Sequence, residues 1–408
     1  MEKKSNLYAM DFIDADHLET MQLERMKKII RHAFNNVEFY RNRMRKYNLT
    51  PDSIKSLDDV AKLPFMVKQD LRDTYPFGLL AVPQSEVVHR ALANCGLTNS
   101  DIVQISYGYG LFTGGLGAHY GAEDLGATVV PTSGGNTRRQ IMLMRDFGVN
   151  AICCTPSYFI HMIDEAAKSG IDLRELPIRA GIFGAEPWTA GMRKYVEENA
   201  GIEAFDIYGL SEIIGPGVAI ECPCHSGLHV YEDHFYPEII DPDTGESLPD
   251  GEYGELVLTT LSKYAMPMIR YRTRDLTRII PGRCACGRTI RRIDRISSRS
   301  DDMFIIRGVN VFPSQIEAAL LSVRGTTPNY LITLTNDNRG MDNVAVEVEL
   351  SQEKFNELGE NQEGFRRQVS AMVESVTGIR IAITLREPGT LPRSEGKAKR
   401  VVDNRTRS

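Results

Sequence analysis

Nowhere in the sequence does an apolar run reach the ~20 residues that a membrane-spanning helix needs. Basic residues are not in excess. Lys and Arg number 48 against 54 Asp and Glu, a net charge of −6, so nothing favours nucleic acid or an anionic membrane surface. Internal repeats and low-complexity segments are missing too. The start, Met1-Glu2-Lys3-Lys4-Ser5, lacks the apolar core of a signal peptide, which leads to the expectation of a cytoplasmic protein. In that compartment the seven cysteines are expected as thiols or metal ligands rather than disulfides. What is present is the composition of a soluble globular protein, 42% hydrophobic and 25% charged. Its 408 residues exceed what one core organises and suffice for two or three domains.

His17 to Phe34 reads as an amphipathic helix with Leu23, Met26, Ile30 and Ala33 on one face. Pro64 and Pro76 punctuate the next segment, which is expected to wrap the surface of a larger domain. From Asp101 to Tyr208 short β-rich runs (Ala127 to Pro131, Ala151 to Thr155, Arg179 to Phe183, Ala204 to Tyr208) alternate with helical stretches such as Thr137 to Phe147 and Tyr158 to Ser169. That rhythm predicts a mostly parallel sheet with helices on both faces, binding ligands beyond the carboxyl ends of its strands. From about Pro216 to Arg288, Asp-Pro and Thr-Gly turns predict antiparallel hairpins. The run Ser298 to Glu317 then divides the chain. It opens on charged and small residues, passes two apolar bursts joined by Arg307-Gly308, and reaches Pro313 and Ser314, so it reads as linker, hairpin and helix start. Beyond it, helices (Pro313 to Leu321, Phe365 to Thr377) and strands (Tyr330 to Thr335, Val344 to Leu350, Arg380 to Arg386) predict a small α+β unit. The expected class is α/β. A large N-terminal domain, 1–299, has mostly parallel sheets, helices and a β-rich part at 216–290, and a small mobile α+β domain spans 300–408.

Three features carry chemistry. Tyr208-Gly209-Leu210-Ser211-Glu212 follows a strand: its ring can stack on a base, its hydroxyl can bind phosphate or carboxylate, and its carboxylate can hold a hard cation such as Mg²⁺. Asp275, within Tyr271 to Leu276, can accept both hydroxyls of a ribose. Lys397, beside Gly396, is a flexible cation able to reach a developing phosphate charge. Taken singly, each is equally an ordinary turn or solvated residue. The other cluster is of thiols: Cys222 and Cys224 with His225 and His229, and Cys284 with Cys286 in a Gly-flanked turn. Such pairs suit tetrahedral Zn²⁺ with Zn–S near ~2.3 Å. Cys153 and Cys154 sit in an apolar run and read as core.

Together, and in this order, these stretches resemble the adenylate-forming ligase superfamily and, within it, the phenylacetate–CoA ligase branch. The resemblance is carried also by Tyr75 to Leu79, Tyr107 to Gly115, Gly184-Ala185-Glu186-Pro187, Asp301 to Glu317 and Gly396 to Arg400, and runs from about Leu63 to Arg405. It implies an ATP-dependent enzyme that activates an aromatic carboxylic acid, phenylacetate or similar, as acyl-adenylate. The acyl group then passes to coenzyme A, with AMP and pyrophosphate as the other products. It implies Tyr208 on the adenine, with Ala185, Glu186 and Pro187 along the base and Asp206, Gly209 and Arg299 in the same nucleotide site. Ser211 would meet the α-phosphate or the substrate carboxylate, Glu212 the Mg²⁺, Asp275 the ribose, and Lys397 both carboxylate and phosphate. The small domain would then turn about Asp301, bringing Arg307 and Gly308 beside a CoA channel. The acid's ring would lie among Tyr107, Phe112, Ala118, Ile207 and Pro216, with no cation to suit a second carboxylate. For zinc the resemblance points to Cys222, His229, Cys284 and Cys286, with Cys224 or His225 able to replace one of them. It is compatible with a homodimer.

Two positions depart from that branch. Its Gly-rich loop, which wraps the ATP phosphates, should precede the Tyr107 run; here Val87-Val88 continues directly into His89 to Leu97. Either the protein lacks the loop, or the sequence omits a segment. In the first case the alternative function is a catalytically weakened homologue that binds nucleotide or acyl-adenylate. Ser298 stands where the branch has glycine, a change expected to stiffen the hinge.

Overall fold

The structure, a computed structural model, describes residues 9–73, 85–109, 113–296, 298–300, 304–306, 309–336, 342–393 and 400–405. Two helices, α1 (Ala15–Asn36) and α2 (Glu38–Lys46), come first. Asp14 caps α1 by accepting from the His17 N–H at 3.0 Å, and Leu18, Met26, Ile29, Ile30 and Ala33 form its buried face. Helices α3 (Lys68–Asp73) and α4 (Ser85–Asn94) lead to the alternating region. There β1 (Ile102–Ile105), α5 (Thr113–Asp124), β2 (Thr128–Pro131), α6 (Thr137–Asp146), β3 (Ala151–Cys154), α7 (Pro156–Lys168), β4 (Ala180–Gly184), α8 (Ala190–Ala200) and β5 (Glu203–Leu210) follow in turn. Strands β2, β1, β3, β4 and β5 lie side by side in parallel. Cys153 packs in the core on one side of this sheet and Cys154 in the core on the other, the two-residue alternation of a strand buried on both faces.

The sheet is parallel through β5, as the sequence rhythm predicts, and antiparallel from about Pro216, where hairpins are expected. Past β5 it turns antiparallel through β6 (Gly215–Glu221), β7 (Leu228–Val230) and, from later in the chain, a short strand at Arg292–Ile293 pairing with one at Ile279–Ile280. A second, antiparallel sheet takes β8 (Phe235–Ile240), β9 (Gly254–Thr260) and β10 (Tyr271–Thr277), with Ser298 and Arg299 added beside Leu276 and Asp275. Ser298 is therefore strand, held in this ladder. Leu63, Met66 and Leu71 are buried, and the Met66 N–H donates to the Arg270 carbonyl at 3.0 Å, so this proline-punctuated segment docks on the second sheet and enters the core.

After residue 303 the expected hairpin appears, Phe304–Ile306 pairing antiparallel with Val309–Val311, followed by the helix Pro313–Leu321. A four-stranded sheet and the helices Gln352–Leu358 and Glu363–Thr377 follow in this part. Its core is its own: Phe304, Ile316, Ile332, Val346, Val369 and Ile383 pack with one another.

Helix α5 carries glycines at 114, 115, 117 and 121, a composition that intrinsic propensity disfavours in a helix. Packing explains it. A Cβ at Gly121 would lie 2.5 Å from Val88 of α4, and one at Gly117 would lie 2.8 Å from Pro216. The helix is pressed against neighbours that only hydrogen atoms can meet. Gly121→Ala is accordingly expected to destabilise the larger part by about 1–3 kcal/mol despite its better helix propensity, read as a lower urea midpoint. An unchanged or raised midpoint would show that α4 can move aside.

Candidate active site

The cleft sits at the ends of β4 and β5, where a parallel sheet leaves its ligand space. A Cβ on Gly184 would lie 2.3 Å from the Ile207 carbonyl oxygen, so glycine lets the two strands close there. The next residue, Ala185, has φ +71°, a left-handed conformation that costs a residue with a Cβ about 1–2 kcal/mol. Strain of this kind is typical of ligand-binding turns. Glu186 fixes the turn by accepting the Ser157 N–H at 2.8 Å in the first turn of α7. Pro187, like Ala185, is exposed to solvent.

Tyr208, near the end of β5, donates its hydroxyl to Asp275 Oδ2 at 2.6 Å. The other oxygen of Asp275 accepts Arg299 Nη1 at 3.0 Å. Burial, followed by the Asp275 carboxylate, pushes the Tyr208 phenol well above its usual range, so it acts as a donor here. Beyond Gly209, the Ser211 hydroxyl lies 2.9 Å from that of Thr113. The Glu212 carboxylate pairs with Lys68 Nζ at 2.8 Å, and Lys263 Nζ donates to the Glu212 carbonyl at 2.9 Å. Burial raises Glu212, but the Lys68 hydrogen bond and charge outweigh it and leave the carboxyl below its ordinary range. Burial pulls Lys263 down to about 8.

A cavity of about 130 Å³ opens between these elements. Tyr107, Ala185, Ile207, Gly209, Ser211 and Pro216 line it, as do Thr113, Gly114, Leu210 and Gly215, which sequence reasoning did not single out. Two expected residues are elsewhere. Ala118 is buried on α5 outside the lining; the first turn of that helix, not its middle, reaches the cavity. The Asp206 carboxylate lies outside it too, 3.9 Å from Arg295 and close to Glu221; burial and that second carboxylate raise it to about 6. Phe112, Asp301, Arg307, Gly308 and Lys397 fall outside the described residues, as does the Tyr75 to Leu79 stretch.

In the antiparallel wing, the ligand atoms of Cys222, His229, Cys284 and Cys286 all lie within 4.8 Å of one another. The Cys222 and Cys284 sulfurs are 3.7 Å apart, and Cys286 Sγ is 3.5 Å from His229 Nε2. Three soft thiols and one imidazole converging on one point fit a tetrahedral Zn²⁺ that has no position left for substrate. The two spares are placed otherwise. Cys224 is exposed, and His225 lies between Glu203 at 3.1 Å and Glu221 at 3.5 Å.

Fold and cleft together define an AMP-binding, adenylate-forming enzyme. A family model described as AMP-binding enzyme matches residues 87–262, and one described as AMP-binding enzyme C-terminal domain matches 308–405. A phenylacetate–coenzyme A ligase of Pseudomonas putida is 49% identical, covering 98% of this chain and 97% of its own; that of Escherichia coli K12 is 44% identical, covering 99% of each. The chain belongs to the phenylacetate–coenzyme A ligase family. The Pseudomonas comparison runs over 433 aligned positions, 25 more than the 408 residues here, so that relative has residues with no counterpart in this chain. Among solved structures, 2-hydroxyisobutyryl-CoA ligase in its postadenylation state, in complex with R3-HIB-AMP, superposes with TM-score 0.93 at 27% identity over 99% of this chain and 94% of that one. The same ligase in its thioesterification state reaches only 0.69, at 26% identity over 99% and 95%. The two parts of this protein are thus arranged as in the postadenylation state. No helix among the described residues is long and apolar enough to cross a membrane.

Proposed function

We propose that this protein is an ATP-dependent, AMP-forming ligase that joins phenylacetate, or an aryl-acetate of similar size, to coenzyme A. The observation that carries this reading is the Tyr208–Asp275–Arg299 triad standing beside Ser211 and the small apolar cavity. In the first step a carboxylate oxygen of the acid attacks the α-phosphorus, the bond to the bridging oxygen breaks, and pyrophosphate leaves. Asp275 orients the ribose, Tyr208 and the 185–187 turn cover the base, and Ser211 meets the reacting carboxylate or α-phosphate. Glu212 would hold the Mg²⁺ that accompanies the nucleotide, an ion that would neutralise phosphate charge there, and Lys68 and Lys263 supply positive charge beside Glu212. Lys397 offsets charge on the α-phosphate. In the second step the coenzyme A thiolate attacks the acyl carbon, the anhydride C–O bond breaks and AMP leaves; by the family resemblance Arg307 and Gly308 would border the thiol's path. Tyr107, Ile207 and Pro216 hold the ring, and the described lining contains no cation for a second carboxylate. Purified protein with ATP, Mg²⁺, coenzyme A and phenylacetate is expected to release AMP and pyrophosphate and to form the thioester. Binding of an acyl-adenylate analogue without phenylacetate-dependent pyrophosphate exchange would overturn the ligase reading.

The Cys222, His229, Cys284 and Cys286 cluster is read as a structural zinc centre that ties the β6–β7 wing to the turn at 284–286. Elemental analysis is expected to find one zinc per chain, and Cys284→Ser to lose it along with several degrees of thermal stability. A folded, metal-free wild-type protein with an unchanged melting temperature would exclude the centre.

A further inference from the structure

The two parts of the protein meet where α7 and α8 face residues 321–402. This contact is loosely filled: a cavity of about 350 Å³ separates Ser157, Ile160 and His161 of α7 from Tyr330, Pro392 and Val402. A contact of this kind, incompletely packed, suits parts that dock and separate. Leu321 packs beside Gly191 of α8, and next to that apolar contact the parts are linked by charge. On α7, Asp164 Oδ1 accepts the Tyr195 hydroxyl of α8 at 3.3 Å, and Oδ2 faces Arg393 Nη2 at 3.6 Å. Arg393 is gripped from its own side by Glu349, Nη2 at 2.6 Å and Nη1 at 3.0 Å. Glu349 is itself 1% exposed and accepts the Leu391 N–H at 2.6 Å and the Gly389 N–H at 3.1 Å. One guanidinium therefore bridges two carboxylates, and only the Asp164 half of the bridge crosses between the parts.

We propose that Asp164 is a positioning residue. It is the dock that, through Arg393, holds the C-terminal part in the arrangement used for acyl-adenylate formation and lets it go for thioester formation. This rests on the ligase reading. The asymmetry of the bridge supplies the mechanism. Arg393 keeps its bidentate Glu349 partner whether docked or not, so release leaves no buried charge unpaired on the smaller part. Asp164 keeps the Tyr195 hydroxyl and gains water. The link is thus easily reversed, as an alternating step requires. Its place in the chain gives it leverage. Arg393 precedes Lys397 by four residues, and three residues beyond that lysine Arg400 lies 3.6 Å from Met192 Sδ of α8, with its guanidinium 5.0 Å over the Tyr330 ring. Both flanks of the lysine segment are therefore anchored at α7 and α8 in this arrangement.

The test separates the two half-reactions. Asp164→Asn is expected to lower phenylacetate-dependent pyrophosphate exchange about tenfold. Thioester formation from supplied phenylacetyl-adenylate and coenzyme A should stay at the wild-type rate or rise. Asp164→Glu is expected to recover part of the exchange. Equal loss in both half-reactions, or no loss in either, would overturn the proposal. Small-angle scattering with a non-hydrolysable acyl-adenylate analogue reads the dock without turnover. Wild type is expected to match the arrangement described here and Asp164→Asn to move away from it; identical profiles would overturn the dock. A wild type that forms no thioester fails the ligase reading instead, and leaves the scattering comparison to decide on Asp164.

Discussion

Asp275→Asn is expected to reduce phenylacetate-dependent pyrophosphate exchange by about thirty- to a hundred-and-sixtyfold and to raise the KM for ATP. The carboxylate sits between the Tyr208 hydroxyl at 2.6 Å and Arg299 at 3.0 Å, and is 7% exposed. Asparagine has nearly the same shape but only one acceptor oxygen and no charge. It cannot serve Tyr208, Arg299 and a ribose hydroxyl together, and its NH₂ group points a donor at a donor. Losing a charge-assisted hydrogen bond in a shielded site costs about 2–3 kcal/mol, which is the fold-change stated. Exchange kinetics at varied ATP, with urea unfolding as a control on folding, check it. Exchange within twofold of wild type would remove Asp275 from the nucleotide site.

Arg90→Met is expected to have the largest effect on stability of any single change considered. The guanidinium of Arg90 is fully buried, donates to Asp233 at 2.9 Å and to Asp11, and lies 4.3 Å over the Tyr231 ring. Methionine fills most of the volume but leaves Asp11 and Asp233, both buried, with too few cations between them. Arg288 at 3.4 Å from Asp11 compensates only one of the pair. Stranding a buried charge costs about 3–5 kcal/mol, so the first urea transition should fall accordingly. Arg90→Met combined with Asp11→Asn and Asp233→Asn should recover much of the loss, since it removes the stranded charges. A single variant as stable as wild type would show that the aspartates take up protons at little cost.

Much of this architecture can be read from the chain because local signals and tertiary packing agree. Pro313 and Ser314 announce the helix Pro313–Leu321, and the apolar runs before Pro131, Cys154 and Gly184 become parallel strands of one sheet. Where propensity and packing disagree, reading fails. The glycines of α5 are helical because Val88 and Pro216 press on them, and no local rule contains that information. Beyond β6 the antiparallel wing is assembled from strands of two or three residues, some brought from distant segments, too short for period-two patterning to show. In the cleft, Tyr208 and Asp275 are individually legible, but their hydrogen bond joins residues 67 positions apart. The role of Thr113 and Gly114 in the cavity follows from where α5 begins, which a glycine-rich sequence conceals. Asp206 shows another limit: the chain does not reveal that its carboxylate lies among Arg295 and Glu221.

Helix α4 runs unbroken from Ser85 to Asn94, through the point where the Gly-rich phosphate loop of the resembling branch is expected. An α-helix turns by about 100° with each residue. Val87 and Val88 must face Gly217 and Gly121 while, one turn on, Arg90 reaches Asp11 and Asp233. One residue spliced in after Val88 would swing either the valines or the arginine out of phase. Inserting a Gly-rich loop here is therefore a choice between two occupants of the same path. The graft must unwind the first turn of α4, or lengthen it by near-whole pairs of turns, about seven residues at a time, for both ends to stay seated.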